Sequence, residues 1–178
     1  MITIRVNNPK EINRKKEIIE QKLNAKINLN GRILTIDADP LNEFEAQRMV
    51  DALNLGFSAD NALKVLDEEI AFIKINIKDY ANTKNLEVVR SRLIGTYGKT
   101  KKTIEEITKC DISIHENEVG IIGPAEVAES ALTAVTNIIK GTKQANAYRY
   151  LERINSQKKS KNQIKFKSKK ENHEVIED

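Results

Sequence analysis

One stretch of the chain, Arg92-Leu93-Ile94-Gly95-Thr96-Tyr97-Gly98-Lys99-Thr100-Lys101-Lys102, has residue types and spacing that imply chemistry. Two glycines three apart, entered by an apolar pair and left by a basic run, predict a tight turn whose backbone can approach another molecule, because neither glycine carries a Cβ. The chemistry of such a turn is binding, and an acidic, backbone-like partner is implied. Lys99, Lys101 and Lys102 add positive charge beside it.

The flanking elements give the turn its place. Residues 72–78 alternate apolar and polar with period two and predict a half-buried strand. Asn85–Leu93 predicts a short helix, Lys99–Lys109 a second one with Ile104 and Ile107 three apart, and Asp111–His115 a second strand. Asn117 offers a turn, Val119–Ile122 reads as a third strand, and Gly123-Pro124 opens a long helix that buries Ala128, Leu132, Val135 and Ile139. The expected order is strand, helix, GxxG, helix, strand, strand, helix.

Two other readings of the turn compete with this one. Gly95-Thr96-Tyr97-Gly98-Lys99-Thr100 is similar to the end of a nucleotide-binding P-loop, but that motif needs a glycine where Leu93 stands and a strand leading straight into it. The plainer reading is a helix–helix turn with ordinary surface lysines. Tyr97 is either a stacking face for a base or a solvent-exposed turn residue.

The order of elements around Ile94-Gly95-x-x-Gly98-Lys99 resembles a type I KH domain over about Glu69 to Lys140. The resemblance implies a loop that clamps the backbone of about four single-stranded nucleotides. A helix N-terminus aimed at the same spot suits phosphates. On this reading Gly95 and Gly98 admit the sugar-phosphate backbone, and Arg92, Thr96, Tyr97, Lys99, Lys101 and Lys102 surround it. Ile94, Ile104 and Ile112 floor the base groove, and the strand edge around Ile112 and Ile114 offers hydrogen bonds to bases. Ile104 and Ile112 also fit plain core positions. The chain departs from the commonest pattern in two places: Thr96-Tyr97 holds no basic residue, and Lys101 stands where many KH domains carry an apolar one.

The first half repeats the plan. Ile2, Ile4 and Val6 form a strand; Asn8-Pro9 opens a helix to about Asn24 with Ile12, Ile18, Ile19 and Leu23 on its apolar side. Ile27 and Leu29 form a strand, Asn30-Gly31 a hairpin turn, residues 33–36 a return strand, and after Asp39-Pro40 a helix carries Phe44, Met49, Val50 and Leu53. A shift of 85 places Leu29 on Ile114 and Val50 on Val135, and a shift of 71 places Ile4 on Ile75. The difference, 85 − 71, leaves 14 residues missing from the first half, about one helix and the GxxG turn. No glycine precedes Gly31, so no phosphate clamp is expected there. Between the halves, Ser58 or Asp60 caps a short helix that packs Ala62, Leu63 and Leu66 inward, and the two halves are expected to dock rigidly.

After Gly141 a helix carries Ala145, Tyr148, Leu151 and Ile154, with Tyr148 read as packing. From residue 156 the chain loses apolar periodicity and is expected to be disordered. The expected class is thus α+β: two tandem type I KH-like modules, each a three-stranded antiparallel sheet backed by helices, the first lacking GxxG. The expected boundaries are 1–68, 69–155 with the C-terminal helix, and a charged tail over 156–178.

Composition limits the alternatives. The chain has 178 residues, 39% of them hydrophobic, and a net charge of +4, which suits a polyanionic partner without requiring one. A single cysteine, Cys110, excludes an internal disulfide framework. No secretory signal or membrane-length apolar run is present, and a cytoplasmic location is expected. Cys110 and His115 have no orienting acid beside them, so neither an enzyme nor a metal or cofactor site is expected.

The first module, the connector Leu55-Gly56-Phe57-Ser58-x-x-x-Ala62-Leu63, the glycine turn, Ile121-Ile122-Gly123 and Tyr148-Arg149-Tyr150-Leu151-Glu152-Arg153 together closely resemble the archaeal KH proteins of ribosome biogenesis, the partner-of-Nob family. That resemblance implies an assembly factor of the pre-small ribosomal subunit. It would bind single-stranded rRNA near the small-subunit 3′ end and associate with the PIN-domain endonuclease that trims that end. Archaeal relatives usually keep a GxxG in the first module, and this chain does not. The alternative is a protein-interaction scaffold with incidental RNA affinity.

Overall fold

The computed structural model describes residues 1–158. The charged tail expected from residue 156 lies outside the described residues from 159 on, and residues 156–158 instead close the last helix.

The first unit begins with β1 (Ile2–Arg5), α1 (Pro9–Leu23), β2 (Lys26–Asn30), β3 (Ile33–Asp37) and α2 (Pro40–Asn54). Its sheet is antiparallel in the order β1-β3-β2. Pro9 starts α1 where a missing N–H costs nothing, and Asn24 ends it in the left-handed region. Asp39 caps α2 by accepting the Asn42 amide at 3.0 Å. The period-two pattern turns Ile27, Leu34 and Ile36 inward, against Ile12, Ile19, Met49 and Val50.

Two apolar residues expected inside are not. Phe44 is 60% exposed and Ile18 is 42% exposed. The inward stripe of α2 is Ala46, Met49, Val50 and Leu53, and Phe44 stands about 200° around the helix from Ala46 at 100° per residue.

The connector follows. Gly56, at φ +93°, releases the chain from α2 into α3 (Ala59–Lys64). Ser58 caps α3, accepting from the Asn61 amide, and the Glu11 carboxylate accepts the Ala59 amide at 2.8 Å.

The second unit comprises β4 (Ile70–Asn76), α4 (Leu86–Ile94), α5 (Lys99–Thr108), β5 (Asp111–His115), β6 (Glu118–Pro124) and α6 (Ala125–Ile139), followed by α7 (residues 144–158). Its sheet is antiparallel in the order β4-β6-β5. The first strand stops at Asn76 rather than continuing to Lys78, because the Asn76 side chain accepts the Lys78 amide and folds residues 77–79 into a tight turn. Gly123 and Pro124, expected to open α6, are instead the last ladder residues of β6, opposite Ala71 and Ile70. A Cβ on Gly123 would stand 2.9 Å from that of Cys110. Leu132 of α6 is half-buried, and in α7 the buried residues are Ala147 and Leu151, with Ala145 exposed. Tyr148 packs against the second core, as its spacing suggested.

The two units share a face. One side of the β4-β6-β5 sheet packs on α4, α5 and α6, and the other receives the connector. Gly120 makes this possible: a Cβ there would meet Phe57 at 2.6 Å and Leu55 at 2.9 Å. The Ser113 hydroxyl donates to the Leu55 carbonyl at 2.6 Å, Lys64 pairs with Asp111 at 2.6 Å, and Ile122 belongs to the first unit's core.

Gly120→Val would force Phe57 off its seat. Overpacking of this kind costs about 2–3 kcal/mol, so the thermal midpoint is expected to fall by about 4–12 °C, which differential scanning calorimetry would measure.

Candidate nucleic-acid interface

The glycine turn is built by two different requirements. α4 ends when the Gly95 amide donates to the Ser91 carbonyl at 2.8 Å, and Gly95 then takes φ +75°, ψ 170°, a region open essentially to glycine alone. The space a Gly95 side chain would need is already occupied: the Thr100 amide nitrogen would lie 2.6 Å from its Cβ, and the Thr100 hydroxyl closer still. Gly98 is different. It sits at φ +75°, ψ 11°, and nothing lies within 4 Å of where its Cβ would be. Gly95 is therefore demanded from inside the protein, and Gly98 leaves open space outside it.

Between them Thr96 is exposed and Tyr97 fully so, at φ +52°. α5 starts at Lys99 with no side chain capping it, so its first-turn amides face the turn. Lys99 and Lys102 are exposed. Lys102 lies 4.0 Å from Glu106, a pair too loose and exposed to hold it. Lys101, half-buried, pairs with Glu105 at 3.0 Å. Arg92 is half-buried behind the turn.

The apolar floor is narrower than the sequence suggested. Ile104 is 1% exposed and Ile112 is 4% exposed, so both serve the second core. Ile94, 39% exposed, and Ile114, half-buried, are the isoleucines that reach the surface. The strand edge is also partly taken: Glu105 accepts the Ile112 amide at 2.8 Å. By alternation along the strand, Ile114 holds the next outward-facing backbone groups.

Sequence reasoning missed three contributors. Glu105 is one, and a signal for it existed: Glu20 accepts the Ile27 amide at 2.9 Å, 85 residues earlier, and Lys16 approaches Glu20 at 3.9 Å as Lys101 does Glu105. The connector is another, since Gly56, Phe57, Ser58 and Asn61 wall the groove of about 380 Å³ that Ile94, Lys101 and Ile114 line opposite. The last is Gln144 of α7, whose amide donates to the Arg92 carbonyl at 3.3 Å and the Thr100 hydroxyl at 3.4 Å. Asn155 donates to the Ile107 carbonyl at 2.6 Å, so α7 braces α5 near both ends.

Elsewhere, Cys110 is buried and burial pushes its thiol pKa up, while His115 is exposed five residues on. Among the described residues no cluster of three His, Cys, Asp or Glu side chains could hold a metal, and no helix is long and apolar enough to cross a membrane.

A sheet ordered first-third-second, three helices on one face and a glycine turn between the first two define a type I KH domain. The family model for the second KH domain of PNO1, described as a eukaryotic type KH-domain (KH-domain type I), matches residues 71–156. A KH domain-containing protein of Methanocaldococcus jannaschii is 33% identical over 145 residues, 78% of this chain and 64% of that protein. Dim2p from Pyrococcus horikoshii is similar in structure, with TM-score 0.74, 29% identity and coverage of 85% of this chain and 98% of that one. The same organism's complex of a/eIF2alpha, aDim2p and rRNA contains a chain similar to this one at TM-score 0.74 and 29% identity, covering 88% of this chain and 94% of that chain. The chain belongs to the PNO1 family of KH proteins, and it spans 60–64% of the length of the first curated relatives it matches.

The two glycines are expected to respond differently to substitution. Gly95→Ala meets both a forbidden backbone and Thr100, and should cost roughly 1–3 kcal/mol. Gly98→Asn, in the left-handed region that asparagine tolerates, should cost under about 1 kcal/mol; urea unfolding of both variants reads the difference. Because burial raises its pKa, Cys110 should stay protonated and unlabelled by a thiol reagent in the native protein near neutral pH, and label at once in denaturant.

Proposed function

We propose that this chain is an RNA-binding assembly factor of the small ribosomal subunit. Residues 1–68 are a KH-like module without a clamp; residues 69–155, with α7 running on to 158, are the KH domain that holds RNA. Single-stranded rRNA near the small-subunit 3′ end lies across the second unit. Its backbone passes Gly98 closely, while Lys99, Lys102 and the α5 amides meet phosphates. Ile94 and Ile114 receive bases, and Tyr97 stacks on one. Gly95 shapes the turn from within. The observation that carries this reading is the open space at Gly98, in a left-handed turn that a side chain could occupy without touching its own protein. The presence of rRNA in the complex of the Pyrococcus relative supports it.

A single KH groove reads few bases, so selectivity at the 3′ end comes from a second partner held on the same particle, by effective concentration. That partner is the PIN-domain endonuclease, which this protein positions. The first unit offers a surface for protein: Leu41 is 70% exposed and Phe44 60% exposed on one face of α2. The same observation favours the second reading, a protein scaffold whose RNA affinity resides in its charged tail.

Binding of an rRNA 3′-end oligonucleotide by Gly98→Asn and Gly98→Asp variants separates them. The RNA-clamp reading predicts a loss of roughly tenfold or more, at least about 1.4 kcal/mol, with the fold intact. Unchanged affinity in both variants sinks it. Truncation after residue 158, which leaves α7 whole, should remove mainly a salt-sensitive increment; loss of nearly all binding would establish the scaffold instead.

A further inference from the structure

The lysines on the outer face of α5 already have carboxylates beside them, Lys101 with Glu105 and Lys102 with Glu106. A second set of cations, which starts at the glycine turn and runs away from the groove, does not. Among the described residues no carboxylate lies within 4 Å of Arg92, Lys99, Lys140, Lys143, Lys84 or Lys78. These residues come from four places in the sequence, and hydrogen bonds lock those places together.

The turn between α6 and α7 is the hub. On one side, a Cβ built on Gly141 would stand 3.7 Å from the Arg92 guanidinium, which places that cation beside the turn, and Gln144 ties the start of α7 to the Arg92 carbonyl and the Thr100 hydroxyl behind the glycine turn. On the other side, Asn82 donates to the Lys140 carbonyl at 2.9 Å, and the Lys140 ammonium stands 5.9 Å over the Tyr80 ring. Beyond it, Lys78 and Lys84 line an open recess of about 430 Å³ in the loop leading to α4. The cations thus run from the clamp along the flank of the nine-residue α4, about 14 Å at 1.5 Å per residue. Asp79 and Glu87 are the acidic residues in this loop and first helical turn, and they leave a positive excess.

Unpaired lysines on a braced surface have a defined use. They release counterions when a phosphodiester backbone replaces those ions, and they carry no sequence preference of their own. We infer that this surface is a second phosphate track, on which the polynucleotide continues past the nucleotides held at Gly95–Lys102 toward Lys140, Lys143, Lys84 and Lys78. The inference rests on the clamp reading above and adds to it a ligand longer than the clamp.

The test compares single-stranded RNAs of about four and about twelve nucleotides, bound by the full chain and by a Lys84→Ala/Lys140→Ala/Lys143→Ala variant over a series of salt concentrations. The substituted side chains are exposed, and an unchanged thermal midpoint verifies folding. The wild type should bind the longer RNA more tightly. The triple variant should lose about tenfold on the longer RNA and none on the shorter, with its salt slope on the longer RNA lower by about 2, from roughly 0.7 for each lost contact to a single strand. Equal losses on both lengths, or no loss on the longer one, overturn the track. The clamp fails separately: a wild type that ignores the shorter RNA, or a Gly98→Asn variant that still binds it fully, refutes the clamp whatever the triple variant does.

Discussion

The Thr100 hydroxyl fills the place where a side chain on residue 95 would stand, and much of the second unit follows from that contact. It obliges residue 95 to be glycine, and the conformation that glycine adopts ends α4 and swings the chain into a left-handed pair, Tyr97 and Gly98. Two helices can then meet at a corner with their polar ends turned outward. Thr100 is held in turn by Gln144, so α7 takes part in shaping a loop 44 residues before it. A glycine turn without that brace would sample many conformations, and ordering it on a ligand would cost about 1–2 kcal/mol per residue. The protein has met that cost during folding.

A second constraint is the sharing of one sheet by two units. The β4-β6-β5 sheet buries apolar side chains on both faces, Ile112, Val119 and Ile121 on one and Ile122 with Phe72 on the other, and the absent side chain at Gly120 leaves the room that Phe57 and Leu55 occupy. The connector thereby reaches the rim of the groove beside Ile114, so the first unit contributes to the site without a glycine clamp of its own. In both units a glutamate near the end of the helix preceding the second strand accepts that strand's edge amide, Glu20 to Ile27 and Glu105 to Ile112. This repeated bond satisfies a group that would otherwise stand open on an edge strand. It also narrows what the second unit's edge can offer a base.

Much of the fold was legible in the sequence because its signals are local. Period-two alternation bounded by turn residues located Asp111–His115 to the residue, Pro9 and Asp39-Pro40 marked helix starts, and the two offsets of 85 and 71 pointed to the length of the segment lacking in the first half. The misplacements arose where a side chain competed with the pattern. Asn76 capped a turn and cut a strand short, Gly123 stayed in its ladder because Cys110 fills the space beside it, and Phe44 fell off the stripe by an angle that hydrophobicity alone does not reveal. At the candidate site the turn at Gly95 and Gly98 and the exposed Lys99 and Lys102 followed from the local pattern, but the contacts of Glu105, Asn61 and Gln144 were not read from it. Gln144 acts across 44 and 52 positions of sequence, which leaves no periodic trace, whereas the one sign of Glu105 was its counterpart Glu20, 85 positions earlier.

The measurement that bears most directly on the account is an amide-by-amide NMR titration of the full chain with a single-stranded oligonucleotide from the rRNA 3′ end. The account predicts that the largest shifts fall on Gly95–Lys102, with smaller ones at Ile114 and on the connector wall at Ser58 and Asn61. Shifts concentrated on the first unit's sheet, with the Gly98 and Lys99 amides unmoved at saturation, would contradict it.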